Sequence, residues 1–404
     1  MGVVVWALMI YWLLEQLGEW LTGQGLYRYV MVLEQQNFRV FCSAILSFAL
    51  VVLAGKRVIR WLSLKKIGDA AEFNHAQLNE MMKSKANTPT MGGLLIAAAI
   101  FLSTVVFGDL SNDYIKLGIF VLLYHAAIGG FDDWLKLTAA SRATGSRQGL
   151  YSWEKLVCQL GLGIVIAIFA FSAGSAGHVA SGEEAHRMAH VLNLPFQKTY
   201  EPKGFAVNAN LIYLAPVIYV AFMTLFMAGM SNAVNITDGM DGLAAGIAAI
   251  VGVGIVVLCL VVGTEADAQM LLVPYVPSSG ELAVLGGAMV GACLGFLWWN
   301  CSPASVFMGD TGSLCLGGLI GYIAVVIRME YVILLMCGVY IWEILSVVMQ
   351  VGYFKATKGK RIFKCAPYHH HLHMSGWPEQ RIVARFWILT ILLAAVALAS
   401  LKLR

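Results

Sequence analysis

Charged residues are scarce in this chain. Asp, Glu, Lys and Arg make up 12% of its 404 residues and hydrophobic residues 59%, whereas a soluble domain carries roughly 25% charged residues. This composition excludes an ordinary soluble protein. The mean hydropathy is +0.75, and apolar runs of bilayer length recur from end to end. The sequence therefore predicts an all-α, polytopic integral membrane protein that forms one transmembrane domain over residues 1–404.

Three further absences narrow the class of function. None of the eight cysteines forms a Cys-x-x-Cys pair, which argues against a zinc or disulfide framework. No basic region follows Met1 before the apolar segment Gly2–Leu14, so we expect no cleavable signal and interpret this segment as a short membrane-embedded or interfacial helix. The net charge is only +4, and its distribution follows membrane topology, so we expect no nucleic-acid partner.

Ten apolar segments are long enough to span a bilayer. They lie near residues 38–55, 91–108, 115–131, 156–174, 211–229, 243–264, 282–299, 314–328, 331–350 and 386–402. The connecting loops alternate between two faces. The face made of residues 56–90, 132–155, 230–242, 300–313 and 351–385 holds 18 of the 27 Lys and Arg residues. Because positive residues mark the cytoplasmic side, this face is predicted to be cytoplasmic and both termini to lie outside.

The stretch NAVNITDGMDGLAAG, Asn232–Gly246, is the most informative one. It places Asn235, Asp238 and Asp241 at the edge of the charge-free apolar run Leu243–Thr264. Their spacing of three puts them near one face if the segment is helical. Carboxylates beside a bilayer-length segment need a positive partner, and a divalent cation, or a ligand that carries one, supplies it. The alternative is a glycine-rich loop that ends in ordinary helix caps.

Two adjacent carboxylates, Asp132 and Asp133, close the third predicted span in the motif FDDWLK. Each suppresses the ionisation of the other unless a cation is near, so either could act as a general base or hold Mg²⁺. On a helix, Lys136 returns to the same side. The alternative is a surface charge cluster at a helix end that this lysine stabilises.

The segment NCSPASVFMGDTGS, Asn300–Ser313, precedes the eighth predicted span. Its Asp310 has glycine neighbours, which let backbone N–H groups approach an anion closely, and a helix N-terminus adds positive potential. Asp310 is therefore a candidate metal ligand beside a phosphate-binding backbone, and Phe307 a candidate for stacking on a base. The alternative is an Asp N-cap together with a core Phe.

A histidine run, APYHHHLH, follows a basic stretch near the last span. Consecutive histidines cannot all face one metal from one helix, which argues against zinc. Imidazoles that donate to phosphate oxygens fit better, and the basic stretch suits an anionic substrate or anionic headgroups. The alternative is an interfacial basic loop with spectator histidines.

Three other residues each allow two interpretations, one functional and one structural. Lys85 and Thr90 could contact a phosphate or a base, or they could be a positive-inside residue and a helix cap, which their spacing favours. Glu343 lies inside the ninth predicted span, where a carboxylate is by default a candidate functional residue. Because no partner is evident, we interpret it as a structural hydrogen-bonding group.

Five of the nine Asp residues lie in the motifs of the predicted cytoplasmic face, namely Asp132, Asp133, Asp238, Asp241 and Asp310. Acids combined with Lys, His and Gly-rich turns favour Mg²⁺-dependent phosphoryl transfer, and the surrounding bilayer implies a lipid substrate. The residues alone thus predict a membrane enzyme that moves a phosphorylated group onto a lipid. A secondary transporter is a remote alternative, because its coupling acids would line a midplane site.

The motifs FDDWLK, NAVNITDGMDGLA, FMGDTGS and APYHHHLHMSGWPEQRIVARFWI closely resemble those of the bacterial phospho-N-acetylmuramoyl-pentapeptide transferase (MraY) family, from about Lys56 to the C-terminus. This family belongs to the polyprenyl-phosphate N-acetylhexosamine-1-phosphate transferases. The His run followed by GWPE points to the muramoyl-pentapeptide branch, and a UDP-N-acetylglucosamine-1-phosphate transferase is the alternative.

The resemblance implies a reaction and a location. The expected reaction transfers phospho-MurNAc-pentapeptide from UDP-MurNAc-pentapeptide to undecaprenyl phosphate, which gives lipid I and UMP for peptidoglycan biosynthesis. The expected cofactor is Mg²⁺, and the expected setting is the bacterial cytoplasmic (inner) membrane, with the active site facing the cytoplasm and both termini in the periplasm. A homodimer is expected as well.

The resemblance also implies site residues. The implied catalytic residues are Asp132, Asp133, Asp310, which is also the metal ligand, and His369. The implied neighbours of the nucleotide are Lys85, Thr90, Asn235, Asp238, Gly239, Met240, Asp241, Asn300 and Phe307. The implied contacts of the phosphates are His369, His370, His371, Lys136 and Lys155.

Overall fold

The computed structural model describes residues 10–64, 85, 88–138, 149–176, 191–194, 196–202, 204 and 206–403. These residues are mostly helical. The sheet found among them consists of two short antiparallel strands, β1 (Val191–Leu192) and β2 (Ile212–Tyr213). The all-α prediction is therefore confirmed.

Helices account for most of the described chain. In order they are α1 (Ile10–Gly23), α2 (Tyr27–Val30), α3 (Gln36–Leu64), α4 (Gly93–Phe107), α5 (Asp113–Thr138), α6 (Ser152–Ala176), α7 (Pro216–Thr237), α8 (Leu243–Val262), α9 (Glu265–Met270), α10 (Leu282–Asn300), α11 (Gly309–Val326), α12 (Glu330–Met336), α13 (Gly338–Ala356), α14 (Tyr368–His373) and α15 (Glu379–Ser400). Short 3-10 helices cover Met31–Glu34, Ser279–Glu281 and Leu401–Leu403.

Eight of the described helices are long and apolar enough to cross a membrane, namely α3, α5, α6, α7, α8, α10, α11 and α15. Helices α12 and α13 pass the same test together, although they are bent by 81° at a break, and α4 is apolar with 15 residues. Each of the ten predicted spans overlaps one of these elements. The prediction of a polytopic membrane protein is confirmed, while the orientation of the termini stays a prediction.

Some boundaries differ from the predictions. The predicted span 331–350 contains a break, because the chain bends by 81° at Cys337 between α12 and α13. Helices also continue into predicted loops, for example α3 to Leu64 and α13 to Ala356. An apolar run marks the part of a helix that lies at bilayer depth, whereas the helical hydrogen-bond ladder continues beyond it. The predicted loop residues 65–84, 139–148 and 177–190 lie outside the described residues.

Helix α11 is the centre of the bundle. In its most apolar stretch of 18 residues, 89% of the residues are buried inside the protein, whereas the corresponding share is 33% for α5 and for α15. It packs against α4, α5 and α7, and its small residues, which include Gly312, Gly317 and Gly321, let those helices approach closely. The N-terminal end of α11 therefore lies beside the C-terminal ends of α5 and α7.

Candidate active site

Three carboxylates meet where α5 ends and α11 begins. Asp132 and Asp133 lie near the end of α5 and Asp310 lies in the first turn of α11, and one oxygen from each carboxylate lies within 4.8 Å of the other two. A close helix contact allows this, because a Cβ on Gly129 would overlap the backbone carbonyl of Asp310. Oxygen ligands so arranged could hold a hard divalent metal ion.

Asp133 ties α5 to the start of α11. Its carboxylate accepts hydrogen bonds from the backbone N–H groups of Asp310 (3.1 Å) and Thr311 (2.9 Å) and from the Thr311 hydroxyl (2.6 Å). It therefore satisfies N–H groups that a helix start leaves free. The alternative reading of Asp310 as the N-cap is wrong, because Met308 occupies that position.

Two lysines lie against the other two carboxylates. Lys136 Nζ is 2.8 Å from Asp132 Oδ2 and 3.3 Å from Asp310 Oδ2. Lys155 Nζ is 3.2 Å and 2.9 Å from the same two oxygens. The second oxygen of Asp132 accepts the backbone N–H of Leu150 at 2.6 Å. The cluster is thus a mixed one, in which cations already offset much of the carboxylate charge.

Helix α7 contributes an amide to this cluster. Asn235 Nδ2 donates to Asp310 Oδ1 at 2.9 Å and to the Ser313 hydroxyl at 2.8 Å. Both contacts lie on the first turns of α11. Asn235 therefore helps to set the orientation of the Asp310 carboxylate.

The turn Asp238–Gly242 follows the end of α7 at Thr237. The condition for a shared helical face of Asn235, Asp238 and Asp241 is not met, because the helix ends at Thr237 and only Asn235 lies in it. Gly242, with φ of 77°, takes a left-handed conformation that a helix does not use. Burial, together with the charges of Asp310 and Asp133, raises the pKa of Asp238 to about 8.

A second cluster joins this turn to α15. Lys85 Nζ is 2.6 Å from Asp241 Oδ1 and 2.6 Å and 2.7 Å from the two carboxylate oxygens of Glu379. Glu379 also accepts the backbone N–H of Asp241 at 2.7 Å. The sequence reasoning missed Glu379, although it stands in the GWPE motif at the start of α15. Lys85 is thus engaged by two carboxylates.

Asn300 links the turn to the next loop. Its Oδ1 accepts the backbone N–H of Gly242 at 2.9 Å, and its Nδ2 donates to the Val306 carbonyl at 2.8 Å. The side chain therefore supports the loop that carries Phe307. The other residues predicted around the nucleotide lie nearby, with Phe307 half-buried, Met240 buried in the turn and the Thr90 hydroxyl beside Gly309.

The histidine run forms the short helix α14. His369 and His370 are buried, whereas His371 accepts the backbone N–H of Lys364 at 3.1 Å and packs on Phe363. These contacts place the His371 ring against the segment Phe363–Lys364. Burial, with His369, His373 and Lys85 nearby, lowers the pKa of His370 to about 2, so this imidazole is neutral. Glu343, read from the sequence as lacking a partner, contacts His369.

Known proteins resemble this chain over nearly all of its length. Residues 115–328 match the family described as Glycosyl transferase family 4, and residues 85–96 match the phospho-N-acetylmuramoyl-pentapeptide-transferase signature 1. A phospho-N-acetylmuramoyl-pentapeptide-transferase of Thermodesulfovibrio yellowstonii is 39% identical over 396 residues, which cover 98% of this chain and 100% of that protein. The chain belongs to the phospho-N-acetylmuramoyl-pentapeptide transferase family. A second relative carrying that name, from Desulfotalea psychrophila, is 37% identical and covers the same shares of both chains.

Membership of the phospho-N-acetylmuramoyl-pentapeptide transferase family confirms the resemblance inferred from the motifs. The signature segment contains Lys85 and Thr90, and the longer match contains the three clustered carboxylates. The histidine helix α14 lies outside both of these matched segments, but it lies within the nearly full-length similarity to the two relatives.

Proposed function

We propose that the chain transfers phospho-MurNAc-pentapeptide from UDP-MurNAc-pentapeptide to undecaprenyl phosphate, producing lipid I and UMP. The observation that carries the proposal is the carboxylate–lysine cluster at the ends of α5 and α11, in a chain that belongs to the transferase family. Phosphoryl transfer needs little covalent help from a protein and depends on positioning and on positive charge around the phosphates. The cluster supplies both.

Mg²⁺ fits the three carboxylates, whose oxygens suit this ion. Asp310 and Asp132 would hold it, because their Oδ2 atoms contact only lysine ammonium groups among the described residues, and a metal ion could displace these groups. Asp133 would hold α11 in place, because three donors from the start of that helix already occupy its oxygens. Bound Mg²⁺ would neutralise the diphosphate and make UMP a better leaving group.

Lys136 and Lys155 are the proposed phosphate contacts. Both ammonium groups already lie at the cluster, and a cation that took their place on the carboxylates would free them for the substrates. Asp132 would orient the lipid phosphate, whose oxygen attacks the β-phosphorus while the bond to the UMP oxygen breaks. We favour this direct route over an aspartyl-phosphate intermediate, because a phosphate monoester is already anionic.

The nucleotide would lie on the turn Asp238–Gly242. In this proposal Lys85, Thr90 and Met240 border the uridine, and Phe307 stacks on uracil. His369 and His370 face the diphosphate. Asn300, Asp241 and Glu379 act indirectly, because they hold the turn and Lys85 in place.

The setting follows from the charge distribution and the family. The cluster opens on the lysine-rich face, so we place it on the cytoplasmic side of the inner membrane, with both termini in the periplasm. Membrane lipid surrounds the bundle, and a homodimer is the proposed assembly.

The test follows radiolabelled UDP-MurNAc-pentapeptide into butanol-extractable lipid, using the purified full-length protein, Mg²⁺ and undecaprenyl phosphate. The expected result is Mg²⁺-dependent lipid product with release of UMP, which Asp310→Asn abolishes. Asp113→Asn is the matched control, because Asp113 is an exposed residue at the far end of α5 that pairs with Lys116. Turnover of UDP-N-acetylglucosamine instead would assign the chain to the sibling branch, and turnover of neither donor would contradict the proposal.

A further inference from the structure

Glu343 is a carboxylate with no exposed surface, in the second turn of α13. A buried carboxylate in a membrane protein needs a partner and is by default a candidate for function. The side-chain contacts that the structure describes for it lie on α14. Its oxygens accept the backbone N–H of His369 at 3.2 Å and 3.3 Å, and Oε2 lies 3.1 Å from His369 Nδ1.

The broken span brings these residues together. Helix α13 begins after the 81° bend and packs against α14 and α15. The Glu343 contacts reach both the backbone and the ring of His369. The ring is therefore held at one end by a membrane helix, and it cannot rotate without breaking a buried hydrogen bond.

The atoms of this pair define which ring nitrogen is available. Both oxygens of Glu343 already accept the backbone N–H of His369, so Glu343 is an acceptor, and the tautomer that matches it carries its proton on Nδ1. The other nitrogen, Nε2, is buried and has no hydrogen-bond partner among the described residues. A Cβ on Gly239 would overlap it. Nε2 therefore faces the turn Asp238–Gly242, where the absence of a side chain leaves room for the ring edge.

We propose that Glu343 is a positioning residue for the transfer reaction, which holds His369 so that Nε2 meets a phosphate oxygen of the nucleotide donor. This inference rests on the proposed function, because the donor's diphosphate is the anion that Nε2 meets. A carboxylate on one ring nitrogen fixes the orientation of an imidazole. A ring that carries both protons donates Nδ1–H to Glu343 and Nε2–H to the phosphate.

The orphaned nitrogen distinguishes positioning from a purely structural role. Buried polar atoms are nearly always hydrogen-bonded, so an exception asks for an explanation. If the pair had only a structural role, we would expect every buried polar atom of both side chains to have a hydrogen-bond partner. Within the part of the chain that the structure describes, His369 Nε2 has no hydrogen-bond partner, and it is the nitrogen that faces the turn, as expected if a bound ligand completes it.

The experiment measures the dissociation constant of UDP-MurNAc-pentapeptide with Mg²⁺ and without lipid phosphate, so that no turnover occurs. Four full-length proteins are compared: the wild type, Glu343→Gln, His369→Ala and the double variant. Glu343→Gln should weaken binding about tenfold, by analogy with the loss of the carboxylate behind a metal-bound histidine. The double variant should bind like His369→Ala alone, because no ring remains to be positioned.

Glu330→Gln is the matched control. Glu330 is a buried carboxylate on the other arm of the same broken span, and its substitution should leave the dissociation constant unchanged. Thermal melting checks the fold of each protein. Should Glu343→Gln not fold, Glu343→Asp takes its place, because the shorter side chain keeps the charge and withdraws it from Nδ1.

Two outcomes overturn the inference. One is wild-type affinity in the position-343 variant. The other is an equal loss in the wild-type and His369→Ala backgrounds, which would show that Glu343 acts independently of the ring. Lipid synthesis is measured in parallel on the wild type. An inactive wild type contradicts the proposed function, whereas an active wild type with an unaffected Glu343→Gln variant contradicts this inference alone.

Discussion

Lys155 Nζ lies 2.9 Å from Asp310 Oδ2, although 155 positions separate the two residues in the chain. The contact joins the start of α6 to the start of α11. It places a cation on the oxygen that we assign to the metal. A lysine and a metal ion therefore compete for one carboxylate.

Replacing Lys155 should change metal binding and turnover in opposite directions. Lys155→Gln removes a positive charge from Asp132 and Asp310, so Mg²⁺ should bind more tightly and the Mg²⁺ concentration for half-maximal rate should fall. The rate itself should fall about 10-fold or more, because a phosphate contact is lost. Mg²⁺ titration of lipid synthesis measures both quantities. A higher Mg²⁺ requirement would contradict the competition.

Removing the Thr311 hydroxyl should loosen the link between α5 and α11. Thr311→Val keeps the shape but leaves Asp133 without the donor at 2.6 Å. We expect a loss of unfolding free energy of about 1–3 kcal/mol and a lower rate of lipid synthesis. Thr311→Ser retains the hydroxyl and should restore both. Melting curves and initial rates of the two variants, compared side by side, decide the point.

A methyl group at residue 239 should disturb His369. Gly239→Ala places a Cβ where His369 Nε2 now lies, so the ring must move away from the turn. A misplacement of about 1 Å at a group that contacts the substrate can lower kcat/KM about 100-fold. Gly229→Ala is the control, because a Cβ at that position of α7 meets no atom within 4 Å. Equal rates for the two variants would show that the ring edge plays no part.

Acid should destabilise the fold through His370. Folding lowers its pKa from 6.5 to about 2, so below pH 6.5 the unfolded chain binds a proton that the folded chain excludes. Each pH unit below that value should cost about 1.4 kcal/mol of unfolding free energy. His370→Asn removes this contribution, and its melting temperature should fall less than that of the wild type between pH 7.5 and pH 5.5. An equal fall of the melting temperature in the wild type and in His370→Asn would show that His370 does not cause the acid destabilisation.

The acidic cluster could be anticipated because its signals are local. Each of the three carboxylates, Asp132, Asp133 and Asp310, lies next to an end of an apolar run. Counting the predicted spans along the chain places all three of these ends on the same face of the membrane. The alternation of faces needs no knowledge of how the helices pack. Their meeting within hydrogen-bonding distance needs only that α5 and α11 be neighbours.

The contacts between distant segments could not be anticipated. The pairing of Glu343 with His369 depends on the break at Cys337, which no proline marks. The contact of Lys85 with Asp241 and Glu379 depends on how α15 approaches the turn after α7. The shared face expected for Asn235 and Asp241 failed because the helix ends between them, where glycines make a turn easier than another helical turn.

Asp310 is held against main chain, since Gly129 leaves its backbone carbonyl in direct contact with α5. A side-chain wall can be reshaped by one substitution, but a main-chain wall cannot, because any larger residue at position 129 would push the two helices apart. The distance between the two helix backbones that carry the three carboxylates is therefore set by the lack of a side chain at position 129, and not by a side chain that one substitution could reshape.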